Sequence, residues 1–246
     1  MREPFARLGA TYRVIAPDLL GYGCSDRPPI DYDAALYIDL IREFLREAVR
    51  RPATVIASSV SAAHAIQVAA DDPEWITRLV LISPTGVRGQ RGEIPGGRGL
   101  TGLFRSPVLG EALFNALVSR PSIRYFLADQ TYAQKARVTP DLVEVNYQTA
   151  HQPGARFAPA AFVGGALFHD VTESWPRVGQ RTLLVWGDDS PFIAPGEATA
   201  FQALNPGADL EIFAGTGAIP QDEQPDMFAT IVGAWLTATL TRAELD

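Results

Sequence analysis

Cysteine is nearly absent: Cys24 is the only one among 246 residues. That excludes an internal disulfide framework and a cysteine-rich metal site, and with no basic partner near it Cys24 is not read as a nucleophile. No apolar run reaches the roughly 18–20 residues that span a bilayer. The opening MREPFARLGA lacks the apolar core of a secretory signal. A cytoplasmic location with no membrane partner is therefore the default expectation. Basic residues are almost all arginine and are scattered, so no stripe for nucleic acid is present. The net charge of −7 favours solubility and says little about substrate. A phosphate-binding G-x-x-x-x-G-K-[ST] run and a paired-histidine helix motif are both missing. Gly21-Tyr-Gly23 lacks the third glycine and the context of a dinucleotide fingerprint. No cofactor and no metal are expected.

Against these absences stand 47% apolar and 20% charged residues, the balance of a globular chain long enough for one large α/β domain. There is no internal repeat or low-complexity tract. Short apolar runs alternate with helical patterns, which predicts a mostly parallel sheet covered by helices. The runs are Tyr12–Pro17, Thr54–Ala57, Leu79–Ile82, Thr182–Trp186 and Asp209–Phe213. Between them, Leu36, Tyr37, Leu40, Ile41, Phe44, Leu45 and Val49 recur at helical spacing opposite a charged face. Ala62–Ala70 is small and apolar on nearly every side and reads as a buried helix. Pro225 opens a last amphipathic helix. From about residue 86 to 178 the strand pattern stops. Residues 86–102 read as a Gly- and Arg-rich loop, and helical patterns follow near 107–119, 121–132, 140–151 and 157–168. The expected organisation is a core of residues 1–85 and 179–246 with a helical cap, residues 86–178, over the carboxyl ends of the strands. Ligands bind at those ends in open α/β sheets.

The segment Val55-Ile-Ala-Ser-Ser-Val-Ser-Ala62 joins a strand to a buried helix. A sharp turn there needs small residues two positions either side of the serine that it presents. The usual form is G-x-S-x-G; here it is A-x-S-x-S, with Ala57, Ser59 and Ser61. The plainer alternative is a serine-rich helix start in which Ser58 or Ser59 caps the helix. The wider sequence then resembles the α/β-hydrolase superfamily in four blocks, in that family's order. Tyr12–Pro28 is similar to the strand and loop preceding the nucleophile, and Val55–Ile66 to the nucleophile elbow. Leu183–Pro195 is similar to the acid-bearing strand end, and Phe213–Phe228 to the histidine loop and last helix. The resemblance implies a three-layer α/β-hydrolase fold, Ser59 as nucleophile and the Val60 N–H as an oxyanion-hole donor. It also implies an esterase-like protein with a small apolar or ester-type molecule in a capped pocket; the oligomeric state stays open.

Three departures qualify this. The acid position of W-G-x-x-D-P is Ser190, with Asp188 and Asp189 as neighbouring carboxylates that read as exposed turn residues or as substitutes. The base position of G-x-G-H-x-P is Ala218, which cannot take a proton from a serine hydroxyl. The remaining histidines are His64, five residues past Ser59 on the buried helix and about 7 Å along its axis, and His151 and His169 in the cap. Finally, the strands and His-Gly loop that open such proteins have no counterpart before MREPFARLG. Either the true start lies upstream of Met1 or the fold is shortened, with an unpaired sheet edge. The expected chemistry is thus weak or absent hydrolysis by a degraded triad. The alternatives are a non-hydrolytic cyclase- or lyase-type enzyme using the pocket, whose walls Phe104, Phe114, Tyr125, Phe126, Phe157, Phe162 and Phe168 can supply, or a ligand-binding pseudoenzyme.

Overall fold

The computed structural model describes residues 2–87, 102–104, 106, 109–190 and 193–243. Most of the expected loop at 86–102 lies outside them. Four strands form one parallel sheet in the order β1 (Ala53–Ser58), β2 (Ile76–Ile82), β3 (Arg181–Gly187), β4 (Asp209–Phe213). Each matches a run read from the sequence, because β-branched and leucine-rich stretches of this length suit a strand covered on both faces.

The alternation of side chains splits the core in two. On one face Leu79 and Leu81 of β2 and Leu184 and Trp186 of β3 pack with Ile66, Trp175 and Phe201. On the other, Val80, Ile82, Leu183 and Val185 pack with Leu8, Phe213, Phe228, Val232 and Trp235. Period-two geometry sends neighbours to opposite faces, so the inner stretches Leu79–Ile82 and Leu183–Trp186 of β2 and β3 are apolar at every position.

The amino-terminal helix, α1 (Arg2–Gly9), packs on the second face through Leu8. Covering the first face are α2 (Ala34–Glu43), which runs on as a π-helical turn to Val49, and α3 (Val60–Asp71). Asp33 starts α2 by accepting from the Leu36 N–H at 2.8 Å, an N-terminal cap. Small α3 residues at 62, 63 and 65 are fully buried, so this helix lies close against the sheet. Between β2 and β3 comes a helical insert: α4 (Gly110–Leu117), α5 (Arg120–Phe126), α6 (Pro140–Ala150) and α7 (Phe157–Val163). Then follow α8 (Gly196–Leu204), the short α9 (Pro220–Glu223) and α10 (Pro225–Ala243).

One expected strand is not formed. Residues 12–17 are irregular, although Tyr12 and Val14 pack against the second core. A strand needs a hydrogen-bonded neighbour, and among the described residues β1 pairs only with β2. The apolar pattern of 12–17 is therefore satisfied by packing alone.

Candidate functional site

Ser59 stands alone between the end of β1 and the start of α3, at φ 53° and ψ −126°. An L residue rarely adopts this conformation, which costs about 1–3 kcal/mol. Two backbone bonds hold it: Ser59 N–H donates to the Ile82 carbonyl at 2.9 Å, and the Ser59 carbonyl accepts from Ala62 N–H at 3.0 Å. Its side chain makes no capping bond, so capping is not what Ser59 does here. Among the described residues nothing hydrogen-bonds its hydroxyl. Ala57 and Ser61 flank the turn with small side chains, as the steric argument requires.

The other two positions also lie past the carboxyl ends of strands, along the same border of the sheet. Ser190 follows β3 and is 7% exposed. Its hydroxyl accepts from the Ile193 N–H at 3.2 Å and thus ties down its own loop. Asp188 is also occupied: its carboxylate accepts from Gly215 N–H at 2.7 Å. Asp189 is exposed, and its N–H donates to the Thr216 carbonyl at 3.0 Å.

Ala218 follows β4, and its N–H donates to the Thr131 carbonyl of the insert at 2.9 Å. That bond belongs to a clasp. Glu223, fully buried, accepts from Gly217 N–H at 2.5 Å and from Gln134 N–H at 2.7 Å. Tyr132 hydrogen-bonds Asp222, and the Gln134 amide donates to the Gly215 carbonyl at 3.3 Å. Residues 131–134 of the insert are thereby seated on the loop that contains Ala218. Sequence reasoning missed Glu223, and no signal marked it. In Pro220-Gln-Asp-Glu-Gln224 it looks like one more surface acid.

Each histidine has a partner away from Ser59. The His64 Nε2–H donates to the Leu167 carbonyl at 2.8 Å, and the ring stacks on Tyr37 at 5.8 Å. Burial pushes its pKa down, against the smaller opposing effect of the Leu167 bond. A carbonyl only accepts, so the neutral ring carries its proton on Nε2. The Nδ1 is then a bare acceptor, and it is buried without a partner. His151 donates from Nδ1 to the Tyr147 carbonyl one turn back, at 2.8 Å. His169 donates from Nε2 to the Gln67 side-chain oxygen at 2.9 Å, and burial lowers its pKa too.

Two cavities flank this border. One, of about 250 Å³, lies where Tyr132 and Lys135 of the insert face Asp188, Asp189 and Ser190. Its charges are matched in part within the wall, where Lys135 pairs with Asp129 at 2.7 Å. The other, of about 260 Å³, adjoins the Ser59 turn at the start of α3. Asp18, Leu19 and Tyr22 of the 17–22 loop, Tyr37 of α2, and Val60 and His64 of α3 form most of its wall. Sequence reasoning placed Tyr37 on a buried helix face without seeing that the face borders a cavity. Of the seven aromatic residues expected as pocket walls, none lines either cavity; Phe104 and Phe114 pack on each other in the insert's own core.

A parallel sheet with helices on both faces, and a strained serine at a strand-to-helix turn, define an α/β-hydrolase architecture. Residues 2–231 match the model of the alpha/beta hydrolase family, and the chain belongs to that family. Among curated proteins it is 27% identical over 241 residues to an uncharacterized protein of Mycobacterium tuberculosis, covering 95% of this chain and 70% of that one. It is also 27% identical over 238 residues to 2-hydroxymuconate semialdehyde hydrolase of Pseudomonas putida, covering 94% of this chain and 79% of that one. Among solved structures, a meta-cleavage product hydrolase of Pseudomonas fluorescens superposes with TM-score 0.77 at 23% identity, over 97% of this chain and 84% of that one. A thermophilic esterase from Thermogutta terrifontis gives TM-score 0.77 at 20% identity, over 96% and 84%. These superpositions speak to fold. Among the described residues no helix is long and apolar enough to cross a membrane.

Proposed function

We propose that this chain is a family member in which serine hydrolysis is silenced while a small-molecule pocket is kept. In this reading Ser59 holds the nucleophile position, Val60 N–H the oxyanion-donor position, and Ser190 and Ala218 the substituted acid and base positions. Residues 86–178 act as the cap. The observation that carries the reading is at Ala218. The side chain there has no proton-accepting group, and its backbone is bonded to the insert. All three histidines are engaged elsewhere.

A serine hydroxyl needs a base within hydrogen-bond reach to attack a carbonyl. Without one, only positioning and oxyanion stabilisation remain, worth roughly 10³–10⁴-fold over water in an otherwise intact site. Several relatives with an assigned activity are named as hydrolases; in this reading the chain keeps their scaffold with altered chemistry.

The test is turnover of p-nitrophenyl acetate. The native protein is expected to run near the buffer rate, and Ser59→Ala to leave that rate unchanged. The double variant Ala218→His with Ser190→Asp is expected to raise it at least about tenfold, short of the roughly 10²–10⁴-fold that a well-placed general base supplies. Ordinary native turnover that disappears in Ser59→Ala overturns the reading.

A further inference from the structure

We infer that the cavity beside the Ser59 turn is a binding site for a neutral, single-ring aromatic molecule that donates a hydrogen bond, a phenol or an aniline. This deepens the reading of a pocket kept without turnover, and rests on it.

Size comes first. The cavity measures about 260 Å³, whereas an engineered apolar cavity of roughly 150 Å³ already takes up benzene. One substituted ring fits; a long acyl chain does not. The wall is mainly apolar, built on Leu19, Val60 and Leu167 with the rings of Tyr22 and Tyr37, whose centroids are 6.4 Å apart. An aromatic body is matched by such rings.

The polar atoms set the rest. Tyr37 donates its one hydroxyl proton to the Leu20 carbonyl at 2.8 Å. With that proton spent, the Tyr37 oxygen can only accept. The Tyr22 hydroxyl on the same wall can accept as well as donate. Burial raises both phenol pKa values, so neither is a phenolate. His64 contributes a neutral imidazole whose proton is spent on Leu167. Asp18, at the exposed side, only accepts. The donors on the wall are the Tyr22 and Ser61 hydroxyls, whereas Tyr37, Asp18 and the buried, unpartnered His64 Nδ1 only accept, so a ligand that brings a proton is matched.

Charge decides against an anion. No lysine or arginine is among the described wall residues, and Asp18 adds a negative charge. The start of α3 attracts anions, but by about thirtyfold at best. Burying an unpaired carboxylate costs far more than that.

The experiment is isothermal titration of the full chain with phenol, benzoate and benzene at pH 7. Saturable phenol binding is expected, with benzoate and benzene at least about tenfold weaker. Tyr22→Phe removes one of the wall's acceptors and is expected to weaken phenol roughly three- to tenfold without weakening benzene. Leu19→Trp narrows the cavity from the loop side and is expected to abolish both, with thermal unfolding confirming that each variant is folded. Absence of phenol binding, benzoate binding as tight as phenol, or phenol affinity unchanged in both variants overturns the inference. The titration does not use turnover. Native ester hydrolysis would overturn the preceding proposal alone, and a flat phenol titration this one alone.

Discussion

At the scale of single residues, Ser59 sits in a conformation that glycine enters freely and serine does not. Replacing it with glycine removes that strain but adds chain entropy to the unfolded state, a smaller effect of about 0.5–1 kcal/mol. Ser59→Gly is therefore expected to raise the unfolding free energy by about 1 kcal/mol, read from urea denaturation. His64 makes a second residue-scale prediction. Its folded pKa lies below the ordinary value of 6.5, so below that pH the unfolded chain binds a proton that the folded chain refuses. Stability is unaffected above pH 6.5 by this group and falls as the pH drops below it. His169 is lowered in the same sense and adds to the fall. His64→Gln is expected to flatten the pH dependence between 6.5 and its folded pKa, measured by urea midpoints across pH.

The serine turn was legible because its steric demand is local: small residues at fixed spacing, between a strand pattern and a buried helix. The same locality puts Ala218 and Ser190 in loops that resemble the family's, where we propose they stand as substituted base and acid positions. Their partners were not legible, since Thr131 and Ala218 are far apart in sequence and nothing in either segment encodes the bond between them.

At the scale of elements, the clasp on the loop after β4 depends on a buried carboxylate with two amide donors. Glu223→Ala leaves the Gly217 and Gln134 N–H groups without their acceptor. The expected loss is about 1–3 kcal/mol for each group that stays dry. Hydrogen exchange at those two amides is expected to speed up more than exchange in β2 or β3. Equal protection in the variant would mean that the clasp has another anchor. The insert's helices were readable as patterns at roughly the right places. Two segments read as single helices, Leu36–Val49 in the core and 121–132 in the insert, are each an α-helix continued by a π-helical turn. Residues 12–17 misled for the opposite reason. A strand pattern states which residues want burial, but pairing is supplied by a neighbour.

At the scale of the molecule, the sheet separates two cores that share strands but not side-chain contacts within a cluster. Leu81→Ala opens a cavity in one and is expected to cost about 2–5 kcal/mol; Ile82→Val trims the other for about 0.5–1.5 kcal/mol. Although adjacent in sequence, the two belong to separate packing units, and their double variant is expected to lose the sum within about 0.5 kcal/mol. Strong non-additivity in chemical denaturation would show that the layers communicate through β2.

Pinning one flank of the insert to the loop after β4 also fixes the traffic pattern of the molecule. A guest entering from that side has to unfasten several polar contacts at once. Asp18, by contrast, stands in solvent at the margin of the cavity beside Ser59. The 17–22 loop thus carries the solvent-facing margin of that cavity, and the insert is tied down at the loop after β4.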